Sequence, residues 1–257
     1  MNRNPLISII TITWNAADVL RPTMASVAAQ TCDDYEHIII DGASTDATLA
    51  VARELATPAL RILSEPDRGL YDAMNKGLTM ARGRYVLFLN AGDAFHAPDV
   101  LDDYARAARS GADIIYADTD IVDASRRRLG PRHLSAPERL TFGSFSKGML
   151  VCHQAFMVRR ELAPPYDTAW RFSADYDWTV KCIKASTPER NVNLHRVAID
   201  YLADGTTDRN KRASLVERFR IMCRHYGSVR TSFNHLAFAG RALGRRLRKA
   251  AGSAPND

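Results

Sequence analysis

Short apolar runs and amphipathic segments alternate through the first half of the chain. Runs rich in aliphatic and β-branched residues have the length of buried strands, and they lie at 6–13, 35–41, 60–64, 85–89 and 113–118. The segments between them have helical character, and they lie at 19–30, 47–55, 70–81 and 99–110. Regular alternation of strands and helices predicts an α/β domain with a mostly parallel, doubly wound sheet flanked by helices.

The pattern loosens after residue 118. Residues 123–148 contain the triplet Arg126-Arg127-Arg128 with two prolines and several serines and glycines, which predicts an exposed loop. Further elements are expected as a strand at 151–158, a helix at 175–185, an extended segment at 191–202 and helices at 213–226 and 231–249. We therefore expect one domain over 1–208, with halves 6–118 and 119–208, and a helical extension over 209–257.

Charge is distributed unevenly along the 257 residues. The net charge is +6, yet residues 209–249 hold 12 Lys and Arg against the single acid Glu217, whereas residues 1–208 carry a net charge of −4. Such a basic tail suggests a polyanionic partner, either a membrane surface or a nucleic acid. Four widely spaced cysteines, no visible secretory leader and no apolar run of membrane-spanning length lead us to expect a cytoplasmic protein.

Polar residues follow every strand of the first half. Thr13 and Asn15, Asp41, Ser64 and Glu65, and Asn90 and Asp93 each stand at or just beyond a strand end. A parallel sheet collects such ends at one edge, where open α/β sheets bind ligands. Asp93 suits a hard divalent cation there, although a carboxylate that only caps the next turn remains the alternative.

Five ordered segments resemble the family 2 glycosyltransferases, which have the GT-A fold and use nucleotide-diphosphate sugars. The chain is most similar to bacterial members that build surface polysaccharide of the cell envelope. The matching segments lie at 9–31, 39–48, 64–77, 87–93 and 173–177, so the resemblance covers about residues 6–210. Two departures stand out: Gly42 replaces the second of two aspartates, and Asn90 replaces the first acid of the metal motif.

The resemblance implies a nucleotide-sugar site at the strand ends. It assigns Asp41 to the imide N–H of uracil or thymine and Trp14 to the face of the base. The other residues that it assigns to the donor are Ile12, Asp67, Arg68, Asn75 and Asn90. Plainer interpretations stay open: an Asx turn for Asp41, a core position for Trp14, solvated charges for Asp67 and Arg68, and a helix surface for Asn75.

The resemblance also implies the catalytic groups. Asp93 would bind Mn²⁺ or Mg²⁺ on the donor diphosphate, and Asp175 would be the general base that takes the proton of the acceptor hydroxyl. Asp177 is the rival base, and it would point about 200° away from Asp175 on a helix. His153 and Gln154 are candidates for acceptor or diphosphate contacts, and His195 and the turn 204–207 for closing over the donor.

The prediction is a metal-dependent, inverting glycosyltransferase that uses a UDP- or dTDP-sugar and a polysaccharide or lipid-linked saccharide acceptor. Residues 231–249 would contact the inner face of the cytoplasmic membrane through a basic amphipathic helix. A catalytically silent family member and a nucleic-acid-binding protein that uses the basic tail are the alternatives. We expect no nucleic-acid partner because the tail has few interleaved aromatic residues and the body is acidic.

Overall fold

The computed structural model describes residues 4–203 and 211–236. Its first half is a strand–helix alternation, as the sequence predicts. The elements are β1 (Ile7–Thr13), α1 (Ala17–Ala28), β2 (Tyr35–Asp41), α2 (Thr48–Glu54), β3 (Leu60–Ser64), α3 (Leu70–Met80) and β4 (Tyr85–Phe88). The four strands pair in parallel in the order β3-β2-β1-β4. The α/β fold class is therefore confirmed, with boundaries within two residues of those expected.

The second half adds mixed pairing to this sheet. Its elements are β5 (Ala94–Phe95), α4 (Val100–Arg109), β6 (Ile114–Val122), β7 (Arg128–Pro131), β8 (Phe156–Arg159), α5 (Ala174–Ala185), β9 (Asn191–Leu202) and α6 (Lys211–Tyr226). Strand β8 inserts antiparallel between β4 and β6, whereas β9 runs parallel to β6. Strands β5 and β7 are added antiparallel to β9 and β6. Parallel pairing is thus confined to β3-β2-β1-β4 and β6-β9.

Two expectations for this half are wrong. The segment 123–148 is not simply an exposed loop, because it contains β7 and a 3₁₀ helix at Phe142–Lys147 and buries Leu140 and Phe145. The strand expected at 151–158 begins only at Phe156, since His153–Ala155 form a 3₁₀ turn. Both errors arise because distant packing partners, which the local pattern does not reveal, decide the conformation.

The core lies on both faces of the sheet because alternate strand residues point to opposite sides. Ile10 and Ile12 of β1 pack with Phe88 on the face covered by α3 and α5. Ile7 and Ile9 pack on the face covered by α1 and α4. The four cysteines are unpaired. Within the described ranges, no helix combines the length and the apolar character that crossing a membrane requires.

Candidate functional site

The ends of β1, β2 and β3 form a row centred on Asp41. Strand register pairs Asp41 with Thr13 on one side and with Ser64 on the other. The Asp41 carboxylate is fully buried and accepts three hydrogen bonds. Oδ2 accepts from the Ser44 N–H at 3.0 Å and the Ser64 hydroxyl at 2.6 Å, and Oδ1 accepts from the Ser44 hydroxyl at 2.5 Å. A carboxylate has about four acceptor directions, so the described protein groups leave one direction on Oδ1 unused.

Trp14 and Asp67 meet above this row at Gly42. Trp14 is 69% exposed, so the core interpretation of this tryptophan is wrong. Asp67 lies in the loop before α3, where Oδ1 accepts from the Gly69 N–H at 2.8 Å. Arg68 is highly exposed and pairs with Asp72 at 2.9 Å, so nothing directs its guanidinium toward Asp41. The indole face and the Asp67 carboxylate are therefore available to a ligand at the strand ends.

A tight turn follows β4 and carries Asn90 and Asp93. The Asp93 N–H donates to the Asn90 carbonyl at 3.0 Å. Thr23 fixes the turn, because its hydroxyl donates to the Asp93 carbonyl at 2.7 Å and accepts from the Gly92 N–H at 2.9 Å. Gly92 has a φ of +101°, a conformation that favours glycine. Arg126 donates to the Gly92 carbonyl at 2.7 Å, which brings a cation against the turn.

The Asp93 carboxyl group is only 4% exposed. Its Oδ1 accepts from the Leu202 N–H at 3.0 Å, and the neighbouring Gln154 side chain favours the charged form of the carboxyl group and so opposes a rise in its pKa. Burial raises the pKa of Asp93 to about 7, against the opposing influence of Leu202, Arg126 and Gln154. A carboxylate whose charge is so poorly compensated by the protein is a suitable ligand for a cation.

The oxygens of this turn fit a divalent cation with few protein ligands. The buried Asn90 Oδ1 has no hydrogen-bond partner within residues 4–203 and 211–236, and it stands in the same turn as the Asp93 carboxylate. Amide and carboxylate oxygens are what Mg²⁺ and Mn²⁺ prefer. No cluster of three or more His, Cys, Asp and Glu side chains in the described ranges could hold a metal alone. A cation here would need further oxygens, which a diphosphate and water can provide.

The 3₁₀ turn at 153–155 connects this turn with an aromatic cluster. Gln154 accepts from the Cys152 thiol at 2.9 Å, so its amide N–H groups are left to face Asp93. His153 Nε2 lies 2.8 Å from the Tyr166 hydroxyl, while the buried Nδ1 has no partner among the described residues. Burial lowers the pKa of His153 to about 4, so the ring is neutral at physiological pH. Phe88, Tyr166 and Trp178 surround it.

Asp175 lies in the first turn of α5, next to this cluster. Its Oδ1 accepts from the Tyr71 hydroxyl at 3.2 Å and from the Tyr176 N–H at 2.8 Å. Both hydrogen bonds made to this carboxylate by described residues thus go to one oxygen. Burial and Asp175 raise the pKa of Tyr71 well above its usual range, so Tyr71 stays a donor. Tyr71 stacks on Tyr166 with ring centroids 5.8 Å apart.

Asp177 lies apart from Asp175, as the helical spacing predicts. It is fully buried between α5 and α6, where Oδ1 lies 2.7 Å from His225 Nε2 and Oδ2 lies 2.6 Å from Lys181 Nζ. These partners lower the pKa of Asp177 against the effect of burial, which is the largest influence and acts to raise it. Asp177 therefore joins α6 to α5, and we leave it out of the site.

Helix α6 also braces the segment before α5. The Glu217 carboxylate accepts from the backbone N–H groups of Arg171 at 2.9 Å and Phe172 at 2.7 Å. The Ser173 hydroxyl lies 3.0 Å from the Ser214 hydroxyl. Since Asp175 follows two residues later, α6 helps to fix where its carboxylate lies.

Two predicted donor residues have supporting positions. The Asn75 side chain is engaged with the backbone of Tyr166, accepting its N–H at 2.7 Å and donating to its carbonyl at 3.1 Å. Ile12 is buried in β1.

His195, a candidate for closing over the donor, lies beside Glu138 with its ring nitrogen 3.6 Å from the carboxylate. The turn at 204–207 and residues 237–249 of the predicted tail lie outside the described residues.

Three residues that the sequence analysis did not assign adjoin the site. Tyr71 belongs to the matched segment 64–77, so its place in that motif was a usable signal. Arg126 belongs to the arginine triplet of the segment 123–148, whose composition predicts a loop. Nothing in the local sequence around Tyr166 indicates its contacts with His153 and Asn75.

Comparison with known proteins identifies the same family. The sequence model described as "Glycosyl transferase family 2" matches residues 8–164. A relative from Mycobacterium bovis (strain BCG / Pasteur 1173P2), named PGL/p-HBAD biosynthesis glycosyltransferase, is 37% identical over 189 residues, which cover 69% of this chain and 70% of the relative.

Solved structures share the fold at low sequence identity. S. aureus TarS 1-349 in complex with UDP superposes with a TM-score of 0.67 and 18% identity over 85% of this chain, which spans 64% of the length of that one. The mannosyltransferase PcManGT from Pyrobaculum calidifontis, in complex with GDP-Man and Mn²⁺, gives a TM-score of 0.65 and 19% identity over 99% of this chain and 77% of that one.

Proposed function

The chain belongs to glycosyl transferase family 2 and is a glycosyltransferase, and we propose that it is metal-dependent and inverting, with a UDP- or dTDP-sugar as donor. The acceptor in this proposal is a polysaccharide or a lipid-linked saccharide. One observation carries it: the 3₁₀ turn at 153–155 joins the two candidate centres. Gln154 contacts Asp93, and His153 contacts Tyr166, which stacks on the tyrosine that hydrogen-bonds to Asp175.

The base of the donor binds between Trp14 and Asp41 in this proposal. The exposed indole offers a flat face for stacking. The remaining acceptor direction of Asp41 Oδ1 suits the single N–H of uracil or thymine. TarS is described with UDP and PcManGT with GDP-Man, so proteins of this fold bind pyrimidine and purine nucleotides. Our preference for a pyrimidine rests on Asp41.

Asp93 holds the divalent cation, Mn²⁺ or Mg²⁺, with Asn90 Oδ1 as a second protein oxygen. When bound, the cation neutralises negative charge on the departing nucleoside diphosphate. Arg126 adds positive charge at the same turn, because its guanidinium hydrogen-bonds to the Gly92 carbonyl. The PcManGT structure is described with Mn²⁺, which is consistent with this choice of ion. With only two protein oxygens, affinity for the metal should depend on the nucleotide.

Asp175 takes the proton of the acceptor hydroxyl as that oxygen attacks the anomeric carbon. Tyr71 and the Tyr176 N–H hold Oδ1, which orients the carboxylate and leaves Oδ2 to accept the proton. Direct displacement by the acceptor oxygen inverts the configuration of the anomeric carbon. His153 is neutral, so it lies near the base without adding a competing charge.

A donor panel tests the proposal. Purified protein is incubated with Mn²⁺ and UDP-, dTDP- or GDP-sugars, and donor binding and hydrolysis are measured. Asp93→Ala should lose metal-dependent turnover, and Asp175→Asn should lose turnover but retain donor binding. Asp167→Asn is the control, because Asp167 pairs with Arg224 at 3.5 Å outside the site. Absence of binding to every donor, or full turnover by Asp175→Asn, contradicts the proposal.

The proposal includes a location at the inner face of the cytoplasmic membrane through residues 231–249. Residues 228–236 are helical, and Val229, Phe233 and Leu236 recur at i, i+4 and i+7 with exposed side chains. The surrounding segment is strongly basic, which suits anionic lipid headgroups. Sedimentation with phosphatidylglycerol vesicles should fall for Phe233→Glu and not for Leu129→Glu, an exposed apolar control on β7. Equal sedimentation of both variants contradicts the membrane contact.

A further inference from the structure

Gly42 lacks a side chain for a reason other than backbone conformation. Its φ is not in the positive range that glycine alone adopts easily, so the backbone would accept other residues. A Cβ atom built on Gly42 would lie 2.5 Å from Asp67 Oδ2 and 3.4 Å from Trp14 Cδ1. The space that a side chain at this position needs is therefore filled by the Asp67 carboxylate.

The Asp67 carboxylate is held in that space. Its Oδ1 accepts from the Gly69 N–H at 2.8 Å, and this bond turns Oδ2 toward Gly42. Gly69 has a φ of +123°, so the loop conformation that presents its N–H favours glycine. Asp41, the residue before Gly42, contributes a second carboxylate to the same strand end. The β2 strand end is thus approached by two acidic residues, Asp41 from β2 itself and Asp67 from the loop before α3, and Asp67 lies on the side of Trp14.

We propose that Asp67 supplies the second carboxylate of the nucleoside pocket from the β3–α3 loop, and that Gly42 is the specificity-determining residue that admits it. The inference rests on the proposed function. In it, Oδ2 of Asp67 accepts a hydrogen bond from an N–H of the base or an O–H of the ribose stacked beside Trp14. A carboxylate side chain at position 42 and the Asp67 carboxylate would then occupy the same space. Moving the carboxylate from position 67 to position 42 should therefore preserve nucleotide binding.

The test is a positional exchange of the carboxylate. The probe is whichever of UDP, dTDP and GDP the wild type binds most tightly with Mn²⁺, and its Kd is measured by calorimetry for Gly42→Asp, Asp67→Gly and the double variant. Each single variant should bind about 10- to 100-fold more weakly, the range for a lost hydrogen bond to a charged group. The double variant should recover most of that loss. Wild-type affinity in the single variants, or additive losses in the double variant, overturns the proposal.

Folding is controlled separately. Asp67 Oδ2 is the terminal atom of a side chain that can rotate, so Gly42→Ala should displace it without unfolding the protein. Gly143→Ala is the matched control, since a Cβ there meets nothing closer than 3.7 Å. The proposal is supported if Gly42→Ala has the same Tm as Gly143→Ala but binds the nucleotide more weakly. Equal Kd values for the two variants overturn it.

The ribonucleotide and its 2′-deoxy counterpart separate the two sources of the hydrogen bond. If Asp67 accepts from the ribose 2′-hydroxyl, the loss in Asp67→Gly disappears with the deoxy nucleotide. If Asp67 accepts from another donor of the nucleoside, the loss persists. Both results support the pairing of Gly42 with Asp67. A wild type that binds none of the three nucleotides contradicts the proposed function instead.

Discussion

Acidification should destabilise the protein through His37, a buried residue of β2. His37 is 2% exposed, and burial lowers its pKa from 6.5 to about 4. Its Nε2 lies 2.9 Å from Thr11 Oγ1, and the Thr11 hydroxyl donates its proton to the Leu89 carbonyl at 2.8 Å. The imidazole must therefore donate through Nε2–H. This chain of bonds ends on the residue that precedes Asn90, so it supports the candidate metal turn.

The sign and size of the effect follow from proton linkage. Between about pH 6.5 and pH 4 the unfolded chain protonates this histidine and the folded protein does not, so stability falls as the pH falls. From about pH 7 to about pH 4.5, these two pKa values give a loss of about 2.5 kcal/mol in the free energy of unfolding. His153 is buried in the same way and adds a similar loss of its own.

Urea unfolding followed by tryptophan fluorescence measures the effect at both pH values. His37→Gln keeps a donor for Thr11 and removes the titrating group, so its loss on acidification should be smaller than that of the wild type by about 2.5 kcal/mol. The contribution of His153 is common to both proteins and cancels. His195→Gln is the control, because the His195 side chain is 59% exposed. An identical loss in wild type and His37→Gln refutes the reasoning.

Three further changes test the site and its supports. Tyr71→Phe removes the donor to Asp175, so kcat should fall about tenfold with donor Kd unchanged, as steady-state kinetics and calorimetry would measure. Glu217→Ala leaves two backbone N–H groups without their acceptor, so the free energy of unfolding should fall by about 1–3 kcal/mol and kcat should fall with it. Trp178→Ala empties a fully buried position against Tyr166, and chemical denaturation should report a loss of about 3–5 kcal/mol.

Local pattern was enough to predict the first half of the fold. Strands β1, β2 and β4 are largely buried runs rich in apolar residues, whereas β3 is half-buried at the edge of the sheet. Each of the four is separated from the next by a segment with helical character. The insertion of β8 between β4 and β6 could not be predicted, because antiparallel pairing between strands so far apart in the sequence leaves no local periodicity. Strand β7 could not be predicted from the local pattern either, because its exposed arginines are typical of a loop.

The candidate site also has one part that the sequence predicts and another that depends on long-range contacts. Asp41, Ser44 and Ser64 meet because parallel strands end together, so the sequence was sufficient to predict this cluster. The partners of Asp93 are different, since Leu202 is 109 residues away and belongs to another sheet region. Tyr71 and Asp175 are likewise 104 residues apart. Such pairs depend on how the second half folds back over β4.

These long-range contacts favour counting α6 with the catalytic unit. Asp177 is fully buried, and its two carboxylate oxygens are held by Lys181 of α5 and by His225 of α6. Removing a hydrogen-bond partner from a buried charged group costs about 1–3 kcal/mol or more, a large part of the stability of a domain. Glu217 adds two backbone hydrogen bonds just before Asp175. We infer that α6 folds with the domain because the position of the candidate base depends on it.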